Sequence, residues 1–84
     1  MPVAQKRQKT PKVVITFAST GDAMAAEDAA RTYGLPGRMI PVPSEISAGC
    51  GLSWAAAVAD EEALLAGIAE YGVAHEGVFH VDLY

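Results

Sequence analysis

The chain predicts an α+β domain of ferredoxin-like βαββαβ plan: a two-layer sandwich in which two helices cover one face of a four-stranded antiparallel sheet. Three observations predict it. Apolar spacing switches between a period of two and a helical period in the order strand, helix, strand, strand, helix, strand. Two similar triplets, Tyr33-Gly34-Leu35 and Tyr71-Gly72-Val73, each end a helical stretch ahead of a strand. Finally, Pro41 and Pro43 confine the second strand to an edge, because proline cannot donate to a ladder. Right-handed crossovers then place strands one and three in the centre and strands two and four at the edges. A flavodoxin-like plan would need more βα units than 84 residues supply.

Each element has a local cause. Val13 to Ala18 is a β-branched run stopped by Ser19-Thr20-Gly21, hence a strand. From Asp22 to Tyr33 the spacing is helical, with Ala23, Ala26, Ala30 and Tyr33 on one face and Met24 beside it. Ser19 or Thr20 can cap that helix, and Gly34 suits the residue just past its end. Arg38 to Pro43 is the edge strand, and 44–51 a loop of small residues. Leu52 to Ala59 alternates as a third strand, with Leu52, Trp54, Ala56 and Val58 on one face. Asp60 caps a second helix that points Leu64, Leu65, Ile68 and Tyr71 inward and closes at Gly72. Val78 to Leu83 is the last strand, with Phe79, Val81 and Leu83 on the inner face and Val78, His80 and Asp82 outward.

Composition limits what this domain can be. Of its 51% apolar residues, 16 are Ala, so the core is thin, and a chain of this size buries roughly 60–65% of its unfolded surface. The longest apolar runs are far short of a membrane span, and no apolar segment follows the basic N-terminus as a signal peptide requires. The chain therefore reads as a soluble, cytoplasmic domain over 13–84, preceded by a disordered basic tail over 1–12. That tail holds Lys6, Arg7, Lys9 and Lys12 and no acid, whereas residues 13–84 set Arg31 and Arg38 against all ten acidic residues, a formal balance of −8. Four cations without interleaved aromatics, on an acidic body, argue against nucleic acid or a membrane as partner.

One cysteine, Cys50, excludes an internal disulfide framework and a multi-cysteine zinc site. No metal ligand set, phosphate loop, dinucleotide fingerprint or nucleophile elbow is present, so no cofactor is expected. Cys50 is nevertheless the residue with the strongest intrinsic chemistry. The topology puts three connections at one sheet end: the 19–21 turn, the 44–51 loop and the 73–77 loop. Cys50 is then expected near the start of the first helix. Its nucleophilic form is the thiolate. With no cation within ten residues, the expected activators are backbone N–H groups of the Thr20-Gly21-Asp22 helix start, with Ser19 beside it as a further binding candidate, and of the Gly49-Cys50-Gly51 stretch. Asp22, in the same turn, works against such activation. His75 falls at the same end and could exchange a proton with the thiol. Free cysteines are also common as small buried hydrophobes, and the residue alone leaves both readings open.

Thr16-Phe17-Ala18-Ser19-Thr20, followed by a helix and then by Arg38-Met39-Ile40-Pro41-Val42-Pro43-Ser44-Glu45-Ile46-Ser47-Ala48-Gly49-Cys50-Gly51-Leu52, resembles a small bacterial family. The family is described as selenium/sulfur carrier protein-like. The likeness runs from about Val13 to Leu83, and Cys50-Gly51 matches the family's cysteine-glycine pair. Ala18 stands where the family often has proline. The resemblance implies that Cys50 holds selenium or sulfur as a perselenide or persulfide, between a donor and an acceptor protein. On that reading the chain is a carrier more than a turnover enzyme. The alternative is a ligand-binding or regulatory module with an unreactive cysteine. A sheet face bare of helices, with Val14 on it, also suggests a homodimer through that face.

Overall fold

The computed structural model describes residues 9–46 and 50–83. The structure is α+β: β1 (Thr10–Thr16), α1 (Thr20–Tyr33), β2 (Arg38–Pro41), β3 (Leu52–Ala57), a 3-10 turn (Val58–Asp60), α2 (Glu61–Glu70) and β4 (Gly77–Leu83). The four strands form one sheet in the order β2-β3-β1-β4, and every neighbouring pair is antiparallel. β1 and β3 thus occupy the centre, and β2, with Pro41 as its last residue, lies at an edge.

β1 begins at Thr10, three residues before the apolar run that marks it in the sequence. Thr10, Pro11 and Lys12 pair with Leu83, Asp82 and Val81 of β4. Pro11 is tolerated in this central strand because pairing with β3 stops at Lys12, opposite Ala57, so Pro11 has a neighbour on one side only. At the other end β3 stops at Ala57, and Val58 and Ala59 enter the 3-10 turn. The expected cap at Asp60 makes no side-chain hydrogen bond to its helix.

The repeated triplets are two copies of one helix stop. Gly34 (φ 73°) and Gly72 (φ 67°) both take the left-handed conformation. The next residue in each case turns its N–H back: Leu35 to the Ala30 carbonyl (3.1 Å) and Val73 to the Ile68 carbonyl (3.0 Å). This is the six-to-one bond of a Schellman cap, which also folds an apolar residue back onto the domain. Val73 is buried and Leu35 packs against the core. At its start, α1 is capped by Ser19, whose Oγ accepts the Asp22 N–H at 3.1 Å.

Both helices contribute to a single core. Val13, Ile15 and Phe17, Trp54 and Ala56, Ala23, Ala26 and Ala29, and Leu64 and Ile68 form one buried cluster. Alanines on α1 let its backbone approach the sheet closely, while Leu64, Ile68 and Trp54 supply the volume. Trp54 satisfies its indole N–H on the Pro36 carbonyl at 2.9 Å. The rings expected at the ends of the inward helix faces lie elsewhere. Tyr33 and Tyr71 are exposed and stack on each other.

The opposite face of the sheet is apolar as well. Val14 and Ala55 form a second buried cluster beneath Ile46, with Ile40, Val42, Val81 and Leu83 packed around it. Thr16 and Ser53, paired across β1 and β3, are buried on the same face. Ser53 Oγ donates to the Ile40 carbonyl at 3.3 Å, which accounts for its polar atom. Ile46, from the β2–β3 loop, therefore caps this face from within the same chain.

The last strand is turned over relative to the sequence expectation. Val13, which faces the helices, sits opposite His80, and Ile15 sits opposite Val78. Val78, His80 and Asp82 are thus on the helix side, and Phe79, Val81 and Leu83 on the side covered by Ile46. His80 meets Glu61 of the α2 start at 2.8 Å, a contact that only the helix-side position allows.

Candidate functional site

The three connections expected to share a sheet end do so. Thr16, the last residue of β1, is opposite Ser53 near the start of β3 and opposite Gly77, the first residue of β4. The Glu76 N–H donates to the Thr16 carbonyl at 2.7 Å, which ties the α2–β4 link to the end of β1.

Cys50 lies at this end, two residues before β3, and is half-buried. Its side chain packs against the main core cluster, to which Phe17 and Ala23 belong. The Sγ atom is held by its own turn. The Leu52 N–H donates to Sγ at 3.4 Å, and the thiol donates to the Leu52 carbonyl at 3.5 Å. Gly51 makes this possible. With φ 81° it reverses the backbone between Cys50 and Leu52, bringing the Leu52 amide round to face the sulfur. The Gly51 carbonyl accepts the Val42 N–H at 3.1 Å, so the turn is also fixed to the segment leaving β2.

The other residues singled out from the sequence divide into two sets. Ser19 is occupied as the α1 cap through Asp22, while Thr20 and Gly21 open that helix and are exposed. Their backbone groups sit at the sheet end that bears Cys50. His75 is exposed in the α2–β4 link, and its Nδ1 lies 3.5 Å from the Val73 carbonyl in that same link. Gly49 lies outside the described residues.

The residue that sequence reasoning missed is Leu52. Its relevance is in its backbone N–H, not its side chain. A cysteine followed by glycine and then by the first residue of a strand is the available signal. Glycine in a left-handed conformation lets the amide two residues on reach back to the side chain, as Asx and Ser/Thr turns do with oxygen. The sulfur thus meets both polar groups of one backbone unit, the Leu52 N–H as donor and the Leu52 carbonyl as acceptor. Among the described residues, no group of three His, Cys, Asp or Glu side chains could hold a metal ion.

Fold and site together define a small α+β domain that presents one cysteine at the end of its sheet. The chain belongs to the family described as "Putative Se/S carrier protein-like", whose model matches residues 12–80. The match includes most of β1, both helices, Cys50 and most of β4. Curated proteins give no match, and neither do solved structures. No helix among the described residues is long and apolar enough to cross a membrane.

Proposed function

We propose that this protein carries sulfur or selenium on Cys50, on a ferredoxin-like scaffold. The observation that carries the reading is the Cys50 turn: a half-buried thiol, the sole cysteine of the chain, with the Leu52 N–H 3.4 Å from sulfur. The match to the carrier-like family supports it from an independent direction. The strand order, with β1 and β3 central, supports the ferredoxin-like reading of the scaffold.

Loading is an exchange between a thiol and a persulfide. The Cys50 thiolate attacks the outer sulfur of a persulfide on a donor protein. A bond forms between Sγ and that sulfur, the sulfur–sulfur bond in the donor breaks, and the donor cysteine leaves as thiolate. Unloading repeats the step with an acceptor thiolate as nucleophile and Cys50 as leaving group. No net oxidation occurs in either direction, and a perselenide follows the same course. The Leu52 N–H, 3.4 Å from Sγ, is placed to donate to the sulfur as charge collects on it when Cys50 departs. A second cysteine would attack the loaded sulfur and discharge it, so a single cysteine suits the task. On this reading the partners are a donor and an acceptor protein.

Apolar packing of the Cys50 side chain favours a second reading, an interaction module whose thiol is inert. Intact-mass analysis separates the two. After incubation with a persulfide-charged cysteine desulfurase, the wild-type chain is expected to gain one sulfur atom, and Cys50→Ala none. Absence of the adduct, together with resistance of Cys50 to alkylation in the folded chain, would overturn the carrier reading.

A further inference from the structure

The two edges of the sheet are not alike. β2 is four residues long, with Pro41 in it and Pro36 and Pro43 flanking it. Prolines and short length are the usual means of blocking a sheet edge against further pairing. β4 is seven residues long, holds no proline or lysine, and among the described residues pairs with β1 alone. Val78 and Phe79 are each 39% exposed on it. An edge of this length and polarity is a template for another strand.

We infer that this edge is the seam of a homodimer, in which β4 of a second copy adds antiparallel about a two-fold axis at Val81. Over Phe79–Leu83 the sequence of β4 is complementary to its own reverse about that point. Phe79 falls opposite Leu83 of the second copy, Val81 opposite Val81, and His80 opposite Asp82. Apolar residues thus meet apolar ones on the Ile46 side, and on the helix side no like charges meet, because Asp82 falls opposite His80, whose Nε2 faces Glu61 of its own chain. Apolar cross-strand pairs stabilise a sheet, whereas opposed like charges destabilise it.

Neighbouring registers lack this match. An axis at Phe79 sets Asp82 against Glu76 of the second copy, acid on acid. An axis at His80 sets Val78 against Asp82. A shift by a single residue in pairing would place apolar residues of one chain opposite polar ones of the other.

The seam also continues a cluster already present. Val81 and Leu83 pack around Val14, Ala55 and Ile46, and a groove along the β4 margin is lined by Lys9, Glu45 and Ile46 together with the 79–82 stretch of β4. Because the centre of that face is already buried by Ile46, its β4 margin is what a second copy would cover. A two-fold perpendicular to the sheet keeps Phe79, Val81 and Leu83 of both copies on one side, so their apolar surface becomes continuous.

Sedimentation of the full chain tests the proposal. The expected result is a mass of two chains as concentration rises, with Val81→Lys reduced to a single chain while its far-UV circular dichroism is unchanged. Cysteine cross-linking in a Cys50→Ala background tests the register and leaves the carrier chemistry out. Under mild oxidation Val81→Cys, at the axis, is expected to form a covalent dimer several-fold faster than Phe79→Cys, which the axis holds away from its equivalent. A single-chain mass at every concentration would overturn the proposal, as would a dimer that survives Val81→Lys or equal cross-linking rates at the two positions. A single chain that instead captures an extended peptide along β4 would overturn the second copy as occupant.

Discussion

The rings of Tyr33 and Tyr71 stack with centroids 3.7 Å apart and planes 2° from parallel. They stand at the ends of α1 and α2, each one residue before the glycine that closes its helix. The stack joins the two halves of the chain outside the core, where both rings remain substantially exposed (54% and 39%). The alanines of the helix interface leave little side-chain volume to join the helices, and this pair supplies some of it.

Tyr33→Ala and Tyr71→Ala are therefore expected to destabilise the domain by about 0.5–1.5 kcal/mol each beyond the loss of buried area, the range of aromatic pairs. Exposure places them at the lower end. The double variant is expected to cost less than the two singles added together, because the second truncation has no stack left to break. Urea denaturation of the four chains in a mutant cycle measures it, and strict additivity would show that the stack contributes nothing.

Leu64 carries a larger share. It is 1% exposed and belongs to the same buried cluster as Trp54, Ile68 and Ala26. Leu64→Ala is expected to cost ~2–5 kcal/mol, the range for large-to-small changes in a core. The surrounding alanines cannot extend to fill the gap, which favours the upper part of that range. In a domain this small the loss is a large fraction of total stability. A fall in the urea midpoint at unchanged slope would check it; a change smaller than that of half-buried Leu65→Ala would contradict the packing.

Gly51→Ala separates turn geometry from fold. A Cβ at this position meets no atom within 4 Å. Its cost is the left-handed backbone, about 1–2 kcal/mol for a residue with a side chain. Relaxation of φ away from 81° moves the Leu52 N–H off the sulfur. The expected outcome is a modest loss of stability with a several-fold slower alkylation of Cys50. Unchanged alkylation would show that the Leu52 amide does not tune the thiol.

Much of the fold is legible in the sequence because its signals are local. Pro41 identifies an edge strand by its missing N–H, and the two Tyr-Gly-apolar triplets identify two helix stops. The Ser19-Thr20 pair marks the start of α1, and the structure takes Ser19 as its cap. Each rests on chemistry within a few residues, and connection rules then bring the 19–21, 44–51 and 73–77 segments to one end of the sheet. The position of Cys50 at that end follows in the same way, and its sequence context carries the family resemblance.

The phase of β4 is a different matter. A period of two states that Phe79, Val81 and Leu83 share a face, but not which face. The usual guide, an apolar inside and a polar outside, fails because β1 is apolar on both sides, with Val13 and Ile15 beneath the helices and Val14 beneath Ile46. Either phase would bury apolar surface. Pairing of Val13 with His80 decides it, and the Glu61 contact at 2.8 Å is available to His80 only in that phase. The partner of the Cys50 sulfur was hidden for a related reason. The sequence by itself determined that the chain has a single thiol and which end of the sheet presents it, since both follow from residue type and chain connection. Tertiary structure alone decided which face β4 turns to the helices and which amide meets the sulfur, because register and backbone torsion are set by contacts between segments distant in sequence.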